Sequence, residues 1–472
     1  MTITYRSTRG EAPELGFGDV LLTGLAADGG LYCPDEIPAL AEGITAETPY
    51  AEAAAAVMWP YVEGSIERDD FDEMVSAAYA TFRHPDVCPL IDLGDNHHLL
   101  DLTRGPTLAF KDIALQLVGR LFDHELSARD ERVVVITATS GDTGSAAIEA
   151  LAGRSQVSAV VLHPNERVSD VQRRQMTTVD AANIQNLAVE GTFDDCQDLV
   201  KAAFADTVLN DEVNLAAVNS INWARVMAQI VYYVTAAAAA NAAIGRADAP
   251  GPVSFTVPTG NFGNILAGWY AKRMGLPVDQ LVVASNRNDV LTRFFETGEL
   301  RAHEVVPTLS PSMDIQVSSN FERLLWEASG RDGRAVAELL ATFRRTGHAP
   351  VDEGWASAIG EEFEAGRCDD AETSAVIAAV HDRTGLLIDP HTAVGLKVAR
   401  ERRRDPSVPM ITLATAAPAK FADAVEAATG ERPELPAFLS ELLTRTEHFD
   451  VVANDLDVVA AQLRTMRAAL VR

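Results

Sequence analysis

Lys111 is the residue of this sequence whose type and position best suit covalent chemistry. It follows the motif GPTLAF and opens a helix-like run in which Asp112, Gln116 and Arg120 recur as a polar stripe. Lys111 lies off that stripe and shares a face with Leu115, so we expect its amine to be partly desolvated. Desolvation lowers the pKa of a lysine and favours imine formation and proton transfer. The simpler interpretation is a lysine that extends its amine to solvent from a helix start.

Two glycine-containing loops, each between a strand-like and a helix-like run, could bind anions. The first is SGDTG, at residues 140–144, and the second is PTGNFGN, at residues 258–264. Free N–H groups and the dipole at a helix start attract phosphate or carboxylate, although ordinary strand-to-helix turns also contain glycine. Neither loop has the spacing of a Walker A motif or of the dinucleotide fingerprint. Beside a half-buried lysine, such loops fit an aldehyde cofactor that bears a phosphate.

The elements that must hold these loops are buried strands alternating with helices. Five continuously apolar runs are typical of parallel strands: VVVIT from 133, VSAVVL from 157, VSFTV from 253, LVVAS from 281 and MITLAT from 410. Helical patterns lie between them, at residues 145–151, 196–204, 265–274 and 392–400. The alternation predicts an α/β fold. We expect a mainly helical part before about residue 95 and a charge-rich helical stretch at about 320–381.

The charge balance argues against several classes of partner. With 39 basic and 68 acidic residues the net charge is −29, which opposes binding to nucleic acid or anionic membranes. A phosphate ligand must therefore meet a local positive site. No apolar targeting segment opens the sequence and the four cysteines lack metal-like spacing, so we expect a cytoplasmic protein with reduced cysteines. The uncharged run at 226–245 is long enough to span a membrane, but its alanines and polar interruptions favour a buried helix.

Five motifs together resemble the threonine synthase family: GPTLAFKD, SGDTG, NSINWAR, GNFGN and SPSMD, in that order. The resemblance extends from DGGLY at residue 28 to PAKF at residue 418. It implies fold type II of the pyridoxal-phosphate enzymes, the tryptophan-synthase-β-like fold, with two α/β domains behind an N-terminal domain. We divide the chain accordingly at residues 1–95, 96–250 and 251–472.

The resemblance also implies pyridoxal 5′-phosphate as the cofactor, with Lys111 as its Schiff-base lysine. Thr415 would face the pyridine nitrogen through its hydroxyl. The residues implied for the cofactor phosphate are Gly260, Asn261, Phe262, Gly263 and Asn264. Those implied for the substrate carboxylate are Ser140, Gly141, Asp142 and Thr143. Those implied for the substrate phosphate are Ser220 and Arg225.

The activity implied by the resemblance is the conversion of the small molecule O-phospho-L-homoserine, with water, to L-threonine and phosphate. This is the last step of threonine biosynthesis, and we expect a monomer or small homo-oligomer. Another lyase of the same fold, such as a serine/threonine dehydratase, is the nearest alternative and would release an oxoacid from threonine. A catalytically silent ligand-binding protein is a more distant alternative.

Five further positions bear on the pocket or are conspicuous for their chemistry. Arg104 and Ala417 stand where the family often has histidine. His391, in DPHTAVG, is a helix-start residue that could face the active site. His97 and His98 are predicted to lie in a polar turn without a third metal ligand.

Overall fold

The N-terminal part of the computed structural model, which describes residues 2–470, is mainly helical. Alanine-rich sequence favours helix here, because alanine loses little conformational freedom in a helix. Its elements are β1 (Tyr5–Ser7), α1 (Phe17–Thr23), β2 (Tyr32–Pro34), α2 (Tyr50–Val62) and α3 (Arg68–Tyr79). The two strands pair as an antiparallel ribbon.

Strands and helices alternate through the rest of the chain, as the sequence predicts. The elements up to residue 243 are β3 (Leu90–Asp92), β4 (His97–Asp101), α4 (Lys111–Arg129), β5 (Val133–Ala138), α5 (Asp142–Leu151), β6 (Val157–Pro164), α6 (Asp170–Thr177), β7 (Ile184–Val189), α7 (Phe193–Ala205), α8 (Thr207–Val213), β8 (Leu215–Ala216) and α9 (Trp223–Ala243). Those from residue 253 are β9 (Val253–Pro258), α10 (Gly263–Met274), β10 (Val278–Ser285), α11 (Val290–Thr297), β11 (Glu299–Arg301), α12 (Phe321–Ala328), α13 (Gly333–Thr346), β12 (His348–Pro350), α14 (Glu353–Glu362), β13 (Glu364–Arg367), α15 (Asp370–Thr384), α16 (Pro390–Arg402), β14 (Met410–Ala414), α17 (Ala422–Thr429), β15 (Asp450–Val452) and α18 (Leu456–Leu470).

Two large sheets form the framework. One has the order β15-β7-β6-β5-β8 and is parallel throughout. The other has the order β13-β10-β9-β14-β4-β3 and is parallel except for β3 against β4. The domain limits at residues 95/96 and 250/251 stay a proposal. The first sheet includes one strand (β15) and the second two strands (β3 and β4) from across the second limit.

Helix α9 covers most of the uncharged run that could have spanned a membrane. It is the single helix among the described residues that is long and apolar enough to do so. Most of its side chains are buried, and it packs against α2, α4 and α10. The preference for a buried helix is therefore confirmed.

The histidine pair is where the sequence interpretation was wrong. His97 and His98 lie in strand β4 and are buried, instead of forming a polar turn. His97 Nε2 is 2.9 Å from the hydroxyl of Thr412 on the neighbouring strand β14. The turn is formed by the two preceding residues, Asp95 and Asn96, which both have positive φ.

Candidate active site

Lys111 is the first residue of α4, and its position is fixed by the segment that follows β14. The backbone N–H of Phe110 donates to the carbonyl of Thr415 at 3.0 Å, and that of Ala417 donates to the carbonyl of Leu108 at 2.9 Å. The GPTLAFKD motif thus crosses the carboxyl end of β14. In parallel sheets, ligand sites lie at the carboxyl ends of the strands.

The lysine is buried as predicted, with 9% of its surface exposed. Its Nζ lies 3.2 Å from Oδ2 of Asp142, the first residue of α5. Burial lowers the pKa of Lys111; the charge of Asp142 opposes this, and the charges of Lys420 and Arg225 add to it. Of the predicted polar stripe, Asp112 and Gln116 are also buried and Arg120 is half-buried, because α4 packs between α5 and α9.

Asp142 is the centre of a buried polar cluster. Its Oδ1 is 2.9 Å from Nζ of Lys420 and accepts from Nε2 of Gln172 at 2.9 Å, while Oδ2 accepts from the hydroxyl of Ser312 at 3.3 Å. Burial alone would raise the pKa of Asp142, but the charges of Lys111 and Lys420 hold it well below the usual range. The side chain is therefore an anion that joins two lysines.

The loop before α5 leaves backbone amides for a ligand. The hydroxyl of Thr139 accepts from the N–H groups of Gly141 and Gly144, at 2.9 and 2.8 Å. The first four amides of a helix have no partner within the helix. Within the described chain, this leaves the amides of Asp142 and Thr143 for a ligand carboxylate. Ser140, the remaining predicted residue, is half-buried at the loop's start.

The second loop, residues 260–264, lies between β9 and α10. Phe262 has a φ of 64° and precedes the helix start at Gly263, a conformation that is costly for a bulky residue and is retained where function demands it. The side-chain amide of Asn320 donates to the carbonyls of Asn261 and Ser220, each at 3.1 Å. Ser220 therefore lies beside the loop, and its assignment to the substrate phosphate stays a prediction.

Two buried donors, one in this loop and one in the first turn of α9, have no hydrogen-bond partner among the described residues. One is Nδ2 of Asn264, whose Oδ1 accepts from the hydroxyls of Tyr232 and Tyr233 at 2.6 and 2.9 Å. The other is Nε of Arg225, whose Nη1 donates to the carbonyl of Val218 at 3.2 Å. Burial lowers the pKa of Arg225 to about 10, which leaves it charged at neutral pH.

These donors fit a phosphorylated aldehyde. The start of α10 and the orphaned amide of Asn264 suit a phosphate, and the buried amine of Lys111 suits an aldehyde. Helix α9 begins at Trp223 with Asn222 as its N-cap. Arg225 lies in its first turn.

Several residues of the site carried no assigned role in the sequence. Lys420 and Ser312 lie inside the PAKF and SPSMD motifs, so the motifs were a signal, but Gln172 had none. His391 lies at the edge of the site: its Nε2 accepts from the N–H of Ser312 at 3.2 Å and its Nδ1 is 2.7 Å from Oδ1 of Asp389. It therefore positions Ser312.

The two family departures lie outside this cluster. Arg104 is paired with Asp101 at 2.6 Å, and Ala417 packs in a small apolar group with Leu108 and Leu439.

Three protein-family models match the chain. They are the threonine synthase N terminus at residues 4–79, the pyridoxal-phosphate dependent enzyme at residues 92–343 and the threonine synthase C-terminal model at residues 392–463. Together they cover the helical N-terminal part, the two glycine loops and the PAKF segment.

Full-length relatives agree with these matches. The chain is 53% identical to the threonine synthase of Pseudomonas aeruginosa, with 97% of each chain covered, and 43% identical to that of Corynebacterium glutamicum, with 96% and 97% covered. The crystal structure of pyridoxal-phosphate-bound threonine synthase from Brucella melitensis superposes with a TM-score of 0.93 at 51% identity, covering 99% of this chain and 100% of that one. The yeast enzyme superposes with a TM-score of 0.92 at 38% identity, covering 99% of each.

Proposed function

Because the chain belongs to the threonine synthase family, we propose that Lys111 is the residue through which it carries out that family's reaction. The chain is a pyridoxal 5′-phosphate enzyme that converts O-phospho-L-homoserine and water to L-threonine and phosphate. The family match favours this reaction over that of a dehydratase of the same fold. The observation that supports Lys111 is its buried amine, 3.2 Å from the Asp142 carboxylate.

The cofactor would be held at three places. The amine of Lys111 would bind its aldehyde, the amides at the start of α10 its phosphate, and the hydroxyl of Thr415 would face its ring nitrogen. When bound, the cofactor supplies a conjugated electron sink for negative charge that develops on the substrate. The orphaned amide of Asn264 supports the phosphate position, because buried donors are rarely left without an acceptor.

The substrate requires two anion sites and a base. We assign the carboxylate to the amides of Asp142 and Thr143, and the phosphate to Arg225 with Ser220. Lys111 removes a proton at Cα and then one at Cβ, because burial lowers its pKa and so favours the neutral amine that acts as a base. Phosphate leaves from Cγ, and water adds its oxygen at Cβ, with the protons returned to carbon.

The compartment and assembly are also proposals. Four buried cysteines that form no disulfide among the described residues support a reducing compartment, the cytoplasm. The substrate is a small molecule, and we propose that the enzyme acts as a monomer or small homo-oligomer.

A direct test combines spectroscopy with labelling. The purified protein should show visible absorbance that changes on adding O-phosphohomoserine, with release of phosphate and threonine in equal amounts. Borohydride reduction and peptide mapping should place the label on Lys111. A label on another lysine, above all the neighbouring Lys420, would contradict the assignment.

A further inference from the structure

We propose that Lys420 is a positioning residue that acts through the carboxylate of Asp142 to keep the Lys111 amine unprotonated and in place. The proposal rests on the assignment of Lys111 as the reacting lysine. It concerns a residue that has no role in the mechanism above, although it lies in direct contact with the central carboxylate.

Lys420 lies against the Asp142 carboxylate in the interior of the protein. The side chain of Lys420 is completely buried, in the short helix Pro418–Phe421 that follows β14. Its Nζ is 2.9 Å from Oδ1 of Asp142, whereas Lys111 contacts the other oxygen, Oδ2, at 3.2 Å. One buried carboxylate is therefore shared by two lysines, each on its own oxygen.

A second connection ties Lys420 to the start of α4. Its Nζ donates to the carbonyl of Thr107 at 2.8 Å. The N–H and hydroxyl of Thr107 in turn donate to the carboxylate of Asp112, at 2.9 and 2.6 Å. The Lys420 ammonium is therefore connected to Lys111 in two ways. One runs through Asp142, and the other runs through Thr107 to Asp112, the residue that directly follows Lys111.

The charges of Lys111, Lys420 and Asp142 do not balance when both lysines are protonated. With both lysines protonated, the three groups would carry one unpaired positive charge in a buried place, which is costly. The proton is released most easily by the lysine with the weaker partners. Lys420 has two close acceptors, while Lys111 makes one hydrogen bond among the described residues, the longer contact to Asp142. Lys111 is therefore the lysine that loses its proton.

The other charged groups around the cluster either also disfavour protonation of Lys111 or have hydrogen-bond partners of their own. The positive charge of Arg225 also disfavours protonation of Lys111. Asp112 feels the charge of Lys420, but its carboxylate oxygens accept from Thr107. Gln172 and Ser312, which complete the surroundings of Asp142, are neutral donors.

The experiment measures the protonation of Lys111 without turnover. Apoprotein is incubated with pyridoxal 5′-phosphate at a series of pH values, each sample is reduced with borohydride after a short time, and the Lys111 peptide is quantified. For Lys420→Met, which removes the charge at similar length, the midpoint of labelling should rise by about one pH unit or more, so that labelling at neutral pH slows about tenfold. Lys201→Met, at an exposed lysine paired with Asp198, is the matched control and should leave the midpoint unchanged.

Two further variants make the test decisive. Lys420→Gln keeps a donor without charge and should show the same rise, so it replaces Lys420→Met if that variant does not fold. Lys420→Arg restores the charge and should return the midpoint towards wild type. An unchanged midpoint in the uncharged variants would overturn the proposal. If the KM for O-phosphohomoserine rose in the same variants, Lys420 would instead be a ligand of the substrate phosphate. Absence of any label on Lys111 in the wild-type protein would instead contradict the proposed function.

Discussion

At the scale of the residue, the amine of Lys111 has two tasks, attachment of the cofactor and transfer of protons. Lys111→Ala should therefore reduce turnover by roughly 10²- to 10⁴-fold or more while the fold persists, because general acid–base catalysis alone contributes that much. Steady-state phosphate release and the melting temperature measure the two effects. Lys201→Ala, at an exposed site, is the control. Turnover near the wild-type level in Lys111→Ala would show that another group does the chemistry.

Arg225 is the second residue for which the site makes a quantitative prediction. A charge-assisted hydrogen bond is worth roughly 1.5–3 kcal/mol, so Arg225→Ala should lower kcat/KM by roughly 10- to 150-fold. The unpaired Nε gives the side chain a donor to offer the substrate phosphate. Cofactor affinity, measured by titration of the apoprotein, should stay unchanged. Loss of the cofactor would instead place Arg225 at the cofactor phosphate, beside Asn264 and its tyrosine partners.

The limits of sequence reasoning at this scale follow from how each residue meets its partners. The burial of Lys111 was predictable, because the apolar residues that enclose it recur along its own helix. Lys420 was not, because its partners Asp142 and Thr107 come from distant parts of the chain. A lysine within PAKF carries no local sign that a carboxylate far earlier in the chain neutralises its charge.

At the scale of the element, the loop before α10 is held close to its neighbours at both glycines. A Cβ added at Gly263 would lie 3.1 Å from Nδ2 of Asn320, and one added at Gly260 would lie 3.1 Å from the carbonyl oxygen of Ser312. A larger side chain must therefore displace the segments that support the loop. A side chain at either glycine would also hinder the approach of the backbone to a phosphate.

Gly263→Val should consequently weaken cofactor binding by about tenfold or more, since the amides of the loop can no longer converge on one phosphate. The measurement is the Kd of pyridoxal 5′-phosphate for the apoprotein. Gly360→Val is the matched control, because a Cβ at Gly360 meets no atom within 4 Å. Equal affinities of wild type and Gly263→Val would show that this loop does not bind the cofactor phosphate.

The five apolar strands were predictable because parallel strands buried on both faces need no alternation. All five are confirmed, at β5, β6, β9, β10 and β14. Strands β13 and β15 were missed because they are short edge strands with polar or charged residues. The membership of β15 in the first sheet was also beyond prediction, since a parallel pairing between residues 450–452 and 187–189 depends on the whole fold.

At the scale of the whole molecule, the chain is strongly acidic, whereas its candidate active site contains several positively charged side chains. The net charge of −29 repels a dianionic substrate at long range, but in the site Lys111 and Lys420 share a single carboxylate, and the charge of Arg225 acts on Lys111. Raising the ionic strength weakens long-range repulsion more than it weakens buried contacts. We therefore expect kcat/KM for O-phosphohomoserine to rise modestly between low and moderate salt, and a monotonic fall from the lowest ionic strength would contradict this balance.

Two buried histidines outside the site contribute to the acid stability of the molecule. Burial lowers the pKa of His97 to about 3 and that of His163 to about 4, in each case assisted by a nearby arginine. In the unfolded chain the pKa of histidine is about 6.5. Below that pH each histidine is protonated in the unfolded chain but stays neutral in the folded protein. Each histidine therefore contributes stability that is present above pH 6.5 and is lost as the pH falls towards its folded pKa.

His163 allows this linkage to be isolated, because neither ring nitrogen has a hydrogen-bond partner among the described residues and the ring packs on Phe449. His163→Phe should keep the packing and remove one titrating group. Between pH 6.5 and pH 4.5, wild type should lose about 1.4 kcal/mol per pH unit more than the variant, which corresponds to one proton. Urea unfolding of both proteins at pH 7.5, 5.5 and 4.5 measures the difference, with the exposed His303→Gln as the control. Parallel loss of stability in wild type and His163→Phe would mean that His163 is protonated in the folded protein, against the effect of its burial and of the neighbouring Arg173.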